Sequence, residues 1–154
     1  MQQWHSSGVA TLDDIAVPDE NYLQKGVIII ECMQEIPCNP CVDSCPFNAI
    51  SMDTLNDPPV VDYEKCVGCG NCVSACPGLA IFLTKHADDM AYITLPYELL
   101  PVPKENETVR VFNREGKDVG TGIVTKVRNG KTILITVGVA KSKSLDVRHL
   151  RVIP

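Results

Sequence analysis

The stretch CVGCGNCVSACP at residues 66–77 decides the fold. Its four cysteines follow the spacing C-x2-C-x2-C-x3-C, and a proline comes directly after the last one. All eight cysteines of the 154-residue chain lie between Cys32 and Cys76, whereas a disulfide framework would staple the whole of a small fold. The stretch therefore predicts a metal-binding loop.

An internal repeat surrounds this stretch. Six residues recur at a constant offset of 31 positions, so that Cys38, Cys41, Cys45, Pro46, Ala49 and Ile50 correspond to Cys69, Cys72, Cys76, Pro77, Ala80 and Ile81. The repeat predicts two copies of a loop, a short helix and a strand, related by a pseudo-twofold axis. The first copy, CMQEIPCNPCVDSCP at residues 32–46, departs from the second because its spacing is C-x5-C-x2-C-x3-C-P.

The second copy resembles the two-cluster bacterial-type [4Fe–4S] ferredoxins, in which the fourth cysteine of each run ligates the other cluster. The resemblance implies two [4Fe–4S] clusters as cofactors, with all eight cysteines as metal ligands. The first cluster would be held by Cys32, Cys38, Cys41 and Cys76, and the second by Cys45, Cys66, Cys69 and Cys72.

The longer spacing after Cys32 leaves two alternatives for the first cluster. We favour ligation by Cys32, because a longer loop costs little closure entropy and no other cysteine is left over. Without Cys32 the site would have three protein ligands and would hold a [3Fe–4S] or a labile cluster.

The two cysteine loops differ in their backbone donors. Gly68 and Gly70 let N–H groups approach the sulfurs of the second loop, whereas Pro37 and Pro40 each remove a donor from the first. Hydrogen bonds to sulfur raise a cluster's reduction potential, so we expect the first cluster to have the lower potential.

Charge divides the chain near residue 104. Residues 1–104 contain 4 Lys and Arg against 14 Asp and Glu, whereas residues 105–154 contain 10 against 5. Prolines that resist helix and central strand accompany the change. We therefore expect an α+β protein with an N-terminal extension (1–25), a pseudo-twofold two-cluster ferredoxin domain (26–95), a Pro-rich linker (96–106) and a small β-rich domain (107–154).

Short strands are expected before the first cysteine and throughout the last part of the chain. The segments that indicate them are 26–30, 108–113, 119–127, 132–137 and 147–153. Asn129-Gly130 is a strong hairpin signal between two of them. Four or five strands in about fifty residues predict a small antiparallel β-barrel-like domain.

Other chemistries fit the sequence less well. Zinc sites use separated C-x2-C pairs, so a zinc-binding interaction module is a minor alternative. The chain has no glycine-rich dinucleotide fingerprint, nucleophile elbow or Walker loop, so we expect no enzyme activity of its own and no catalytic residue.

The expected partners are proteins rather than nucleic acid or membrane. The basic C-terminal segment has one aromatic residue, Phe112, which does not make a stacking platform for nucleic acid. No apolar run approaches the ~20 residues that span a bilayer. The N-terminus has no cationic region followed by an apolar stretch, so we expect a cytoplasmic protein.

Two further groups of side chains are expected at the surface. His5, His86 and His149 are interpreted as solvated side chains. Seven carboxylates are expected to form a patch that steers docking to a basic redox partner, namely Asp43, Asp53, Asp57, Asp62, Glu64, Asp88 and Asp89.

Residues 24–154 resemble the small ferredoxin-like subunit of multi-subunit, FAD-dependent amine or amino-acid dehydrogenases of the proline, hydroxyproline or opine type. The resemblance is carried by GVIIIEC at residues 26–32, IPCNPC at residues 36–41 and the barrel-like tail. It implies an electron-transfer subunit of an oxidoreductase complex, with a flavoprotein dehydrogenase subunit as partner. The alternative is a free, diffusible ferredoxin-type carrier, although such carriers are usually little more than the two-cluster core.

Overall fold

The computed structural model describes residues 4–154. The helices in this part of the chain are short: α1 (Trp4–Ser7), α2 (Glu20–Lys25), α3 (Pro40–Asp43) and α4 (Asn71–Ala75), with 3-10 turns at Leu12–Asp14 and Lys141–Lys143. The strands are β1 (Val27–Ile30), β2 (Ile50–Ser51), β3 (Val60–Val61), β4 (Ile81–Ala87), β5 (Met90–Tyr97), β6 (Thr108–Phe112), β7 (Asp118–Arg128), β8 (Ile133–Ala140) and β9 (His149–Val152).

Seven of these strands form one antiparallel sheet in the order β1-β4-β5-β8-β7-β6-β9, and β2 pairs with β3 separately. Its central seam joins β5 to β8 along the full length of both strands, from Met90 opposite Ala140 to Tyr97 opposite Ile133. The ferredoxin-like part and the β-rich part therefore share a single sheet.

The predicted linker at residues 96–106 begins two residues too early. Pro96 and Tyr97 belong to β5, and irregular chain runs from residue 98 to residue 107. Proline at the end of a strand removes at most one ladder hydrogen bond. Tyr97 is 2% exposed in the core, and its burial keeps this end of β5 in the sheet.

Hairpins connect three of the six neighbouring pairs in the large sheet, namely β4 and β5, β6 and β7, and β7 and β8. Asn129-Gly130 lies between β7 and β8, which pair antiparallel, so the predicted hairpin is confirmed. The strands predicted in the last part of the chain are present, with ends that differ by at most three residues. Along residues 4–154 no pairing joins β8 to β9, the two outer strands of the β-rich half, so the predicted barrel-like closure has no hydrogen-bonded counterpart in this sheet.

The buried side chains form two main cores and a smaller one. The larger lies under β5 to β9 and includes Ile93, Leu95, Ile135 and Val137, each fully buried. The second surrounds the cysteine loops, and Leu134 from β8 packs into it. The third joins Ile15 and Leu23 of the N-terminal segment to Ile29 of β1. Within the described residues, no helix is long and apolar enough to cross a membrane.

Candidate metal centre

Each half of the repeat places its cysteines around one short helix. Cys41 lies in α3 and Cys72 in α4, and the last cysteine of each run, Cys45 or Cys76, comes just after its helix. Pro40 at the start of α3 and the left-handed Gly70 (φ +79°) before α4 set the two helix beginnings. The two helices contact each other, so the two runs face one another.

The structure brings the eight thiols together in two groups of four. The thiols close enough to act electrostatically on Cys41 are those of Cys76, Cys38 and Cys32. Those that act on Cys72 are Cys66, Cys69 and Cys45. In both groups three cysteines come from one run and the fourth from the other, and Cys32 lies with its group despite the longer loop.

The donor chemistry of these groups fits an iron–sulfur cube. Cysteine thiolates are the ligands of [4Fe–4S] clusters, and all eight cysteines are free. Among residues 4–154 no group of three or more His, Cys, Asp or Glu is set to hold a single metal ion. The four thiolates of a cube bind four different irons, so they need not converge as the ligands of one ion do.

Burial raises the pKa of the Cys32, Cys41 and Cys72 thiols. Desolvation raises the pKa of Cys41 to about 11 and that of Cys72 to about 12, and neighbouring thiols add to the rise. The pKa of Cys32 is also raised, chiefly by burial. Ligation requires thiolates, so binding of a cationic metal centre here displaces protons.

The backbone N–H groups that donate to sulfur lie at equivalent positions in the two copies of the repeat. The N–H of Ala49 donates to Cys45 Sγ at 3.4 Å, and the N–H of Ala80 donates to Cys76 Sγ at 3.5 Å. Both donors lie four residues after the cysteine that accepts. The last cysteine of each run is thus oriented in the same way in both halves.

The second loop contacts a cation from the far half of the chain. Arg128 Nη1 in β7 donates to the carbonyl oxygen of Cys69 at 3.3 Å. A Cβ added at Gly70 would lie 2.9 Å from Arg128 Nη2, so glycine permits this approach. Sequence reasoning missed Arg128, since it lies about sixty positions from the loop and carries no motif.

A buried ion cluster adjoins the first loop. Glu31, directly before Cys32, binds Arg148 Nε at 2.5 Å and Arg114 Nη2 at 2.7 Å, and the three side chains are 8%, 4% and 12% exposed. The Arg148 guanidinium carbon lies 4.8 Å from the centroid of the Phe82 ring. Burial lowers the pKa of Arg148, and the neighbouring Glu31 carboxylate opposes that shift. No motif in the sequence points to this cluster, because Arg114 and Arg148 lie 83 and 117 positions from Glu31.

The histidines differ from the expectation that all three are solvated. His5 is exposed, but His86 is buried in β4, where Nδ1 lies 2.9 Å from Glu20 Oε2. His149 is half-buried beside the rings of Tyr97 and Phe112, and this burial lowers its pKa. Packing of α2 against β4 and of β9 against β6 covers these two side chains.

The seven acidic side chains that were predicted to form a patch differ in how much of each is exposed. Asp43, Asp53, Glu64, Asp88 and Asp89 are exposed. Asp57 and Asp62 are half-buried, and Asp62 pairs with Lys65 at 2.8 Å.

The cysteine region is similar to a known protein family. Residues 31–80 match the family model described as "4Fe-4S dicluster domain". This part of the chain is similar to ferredoxin-type 4Fe–4S domains, and the match supports [4Fe–4S] clusters as its cofactors.

Several curated proteins resemble the same region. The chain is 45% identical over 53 residues to the polyferredoxin-like subunit of an aliphatic sulfonate oxidoreductase from Pyrococcus furiosus, covering 34% of this chain and 31% of the relative. It is 46% identical over 48 residues to the beta subunit of a dissimilatory-type sulfite reductase from Archaeoglobus fulgidus, covering 31% and 13%. It is 45% identical over 58 residues to an uncharacterized ferredoxin of Methanocaldococcus jannaschii, covering 36% and 35%.

The chain thus spans about a third or less of the length of these relatives. No solved structure matches the chain significantly. The similarity applies to the cysteine region, and the β-rich second half lies outside the matched family model.

Proposed function

We propose that this protein transfers electrons through two [4Fe–4S] clusters as the iron–sulfur subunit of a flavin-dependent dehydrogenase complex. The observation that carries the proposal is the division of eight free cysteines into two groups of four, each completed by a cysteine from the other run. The proposed ligands are Cys32, Cys38, Cys41 and Cys76 for the first cluster, and Cys45, Cys66, Cys69 and Cys72 for the second.

Each bound cluster would supply one-electron redox chemistry. The chain's own residues hold, orient and shield it. Val73, Ile50 and Ile81 are nearly or fully buried around the cysteine loops and exclude water. The N–H groups of Ala49 and Ala80 orient Cys45 and Cys76, the two cysteines that cross between the runs.

Two features support a subunit rather than a free carrier. The β-rich half and the N-terminal segment extend well beyond the matched residues 31–80, and a diffusible carrier has no need of either. Two of the relatives are named as subunits, one of an aliphatic sulfonate oxidoreductase and one of a dissimilatory-type sulfite reductase. A two-cluster subunit suits a flavin partner, because a flavin delivers electrons in pairs and two clusters can hold both.

A free ferredoxin-type carrier is the second candidate, and the relative named simply as a ferredoxin favours it. The two candidates differ in the state of the native protein. A subunit should co-purify, untagged and under anaerobic conditions, with a larger flavin-containing protein. A lone species of 16.8 kDa would support the carrier instead.

The cluster assignment is tested by metal content. Anaerobically purified protein should contain about eight irons and eight sulfides per chain, and reduction should produce the electron paramagnetic resonance signals of two interacting [4Fe–4S]⁺ centres. Four irons per chain, or zinc in place of iron, would contradict the assignment.

A further inference from the structure

One face of the large sheet is open beside the second cysteine loop. Strand register places Leu83, Thr94, Thr136 and Lys126 in one row across β4, β5, β8 and β7. A neighbouring row begins with Lys85 opposite Tyr92, which lies opposite Gly138. We call the side chains of Lys85, Tyr92, Thr94, Lys126, Arg128 and Thr136 the open face.

The opposite side of the same strands is the main core. Ile93 and Leu95 in β5 and Ile135 and Val137 in β8 are fully buried there. Side chains alternate between the two sides of a strand, so the open face consists of the remaining positions. The sheet is therefore covered by protein on one side only in this region.

Two adjoining clefts on the open face reach the second cysteine loop. One has a volume of about 340 Å³ and is lined by Cys69, Lys126 and Arg128, among others. The other, of about 250 Å³, is lined by Val67, Lys25 and Lys85, among others. Both include Gly68, Leu83, Thr94 and Thr136, so they form one continuous depression beside the loop that carries Cys69.

The charge of this depression is opposite to that of the protein. Among residues 4–154, four cations line the two clefts, namely Lys25, Lys85, Lys126 and Arg128, and no carboxylate does. All four side chains are exposed, in a chain whose net charge is −5. The Glu105 carboxylate accepts the N–H of Val127 on the same strand but lines neither cleft.

The uncharged part of the open face is suited to a protein contact. The hydroxyls of Thr94 and Thr136 bond each other at 2.7 Å, so neither requires an outside partner. The Tyr92 ring lies over Gly138, where an added Cβ would be 3.3 Å from Tyr92 Cε1. Tyrosine and arginine side chains contribute disproportionately to protein interfaces, and complementary charge increases the rate of encounter.

We propose that the open face docks a carboxylate-rich surface of a partner protein. Docking there would bring the partner against the backbone of Cys69, a proposed ligand of the second cluster, which Arg128 contacts directly. The partner's redox role rests on the proposed electron-transfer function, whereas the binding itself does not. The exposed carboxylates of Asp43, Asp53, Glu64, Asp88 and Asp89 line neither cleft of the open face.

Poly-L-glutamate is a suitable probe because it presents carboxylates on a peptide backbone. We expect its addition to the cluster-loaded, ¹⁵N-labelled protein at low salt to shift the amide signals of Lys85, Tyr92, Lys126 and Thr136. The double variant Lys126→Glu/Arg128→Glu should weaken binding at least about tenfold. The matched control Lys117→Glu/Arg151→Glu makes the same change in net charge on exposed residues outside the clefts and should bind almost as well as the wild type.

Lys85→Glu serves as a second variant because it leaves the hydrogen bond between Arg128 and Cys69 in place. It should also weaken the binding of poly-L-glutamate. A disturbed second loop, which the double variant could cause, would not explain that loss. Shifts centred on residues 141–151, or equal losses in variant and control, would overturn the proposal. Tighter binding of ADP than of poly-L-glutamate at the same residues would also overturn it, because a nucleotide would then be the occupant.

Metal analysis of the same sample separates the two proposals. Protein with about eight irons that binds poly-L-glutamate elsewhere overturns the docking surface alone. Protein that contains no iron but binds the probe at the open face overturns the electron-transfer function alone.

Discussion

Glu31 lies where the two ends of the cysteine region meet. It directly precedes Cys32, and its N–H donates to the carbonyl oxygen of Ala80 at 2.8 Å. The N–H of Ala80 in turn donates to Cys76 Sγ. The ion pair between Glu31 and Arg148 thus connects the β-rich half to two proposed ligands of the first cluster that are distant in sequence.

Replacement of Glu31 by Gln should weaken the first cluster selectively. The change removes the carboxylate that the two buried guanidinium groups share, and removing one partner of a buried pair costs roughly 3–5 kcal/mol. We expect Glu31→Gln to lose iron from the first site or to show a [3Fe–4S] signal by electron paramagnetic resonance, while the second cluster persists as an internal control.

The matched control for Glu31→Gln is Asp118→Asn, which removes an ion pair to Arg110 whose side chains are 39% and 44% exposed. Exposed pairs contribute about 0–1 kcal/mol, so the control should retain both clusters. Equal loss of both clusters in Glu31→Gln would show that Glu31 supports the whole fold rather than the first loop.

Arg128 should tune the second cluster. Its positive charge and its hydrogen bond to Cys69 favour a more negative, reduced centre nearby, which adds to the expected difference between the clusters. Arg128→Gln should lower the reduction potential of the second cluster, because reduction becomes less favourable by on the order of 1 kcal/mol per electron. A redox titration followed by electron paramagnetic resonance measures this change.

Lys126→Gln is the control for Arg128→Gln, because it removes a charge from the same strand and leaves the hydrogen bond between Arg128 and Cys69 in place. An equal fall in both variants would assign the effect to charge at a distance rather than to the contact. If wild-type protein reduces both clusters at one potential, the expected difference between them is wrong.

At the scale of elements, the second cysteine loop packs against the junction between α2 and β1. Gly68 has φ +67°, and an added Cβ would lie 2.5 Å from the carbonyl oxygen of Gly26. A left-handed backbone and a close approach therefore coincide at one residue. The contact holds the loop of the proposed second cluster against the end of the large sheet.

Gly68→Ala should destabilise the protein and its second cluster. The left-handed conformation alone costs roughly 1–2 kcal/mol for a non-glycine residue, and displacement of the Gly26 backbone adds to that cost. The control is Gly116→Ala, because Gly116 has a similar φ of +76° with nothing within 4 Å of an added Cβ. We expect faster loss of visible cluster absorbance in guanidinium chloride for Gly68→Ala, and the same rate in both variants would contradict a role for the Gly26 contact.

At the scale of the whole molecule, the two predicted domains depend on one sheet. β5 pairs with β4 on one side and with β8 on the other. A fragment that ends at residue 106 lacks β8 and exposes Ile93 and Leu95, both fully buried in the intact chain. It also lacks Arg148 and Arg114, the partners of Glu31.

We expect the fragment 1–106 to be insoluble or to lose its clusters within one purification, since the exposed strand edge and apolar surface favour aggregation. A fragment 11–154 is the control, because it keeps the whole sheet. Retention of about eight irons by fragment 1–106, with an unchanged paramagnetic resonance spectrum, would show that the ferredoxin-like part folds independently.

Local signals in the sequence predicted the short-range features well. Asn129-Gly130 marks its hairpin, because those residues suit the backbone of a two-strand turn. The segments predicted as strands at 108–113 and 119–127 correspond to β6 and β7. β5 was not predicted, and the three histidines were all interpreted as solvated, because burial depends on which strand or helix covers a residue.

The sequence by itself determined the cysteine spacing and its repeat at 31 positions, and the ferredoxin resemblance that they carry implies two groups of ligands, each with one cysteine from the other run. Those features are local, since short spacings confine cysteines to one loop whatever the rest of the chain does. Only the tertiary structure decided that β5 and β8 pair, that Arg148 reaches Glu31 and that Arg128 reaches Cys69. These contacts join residues 36 or more positions apart, and their pairing follows from how the sheet assembles rather than from any motif.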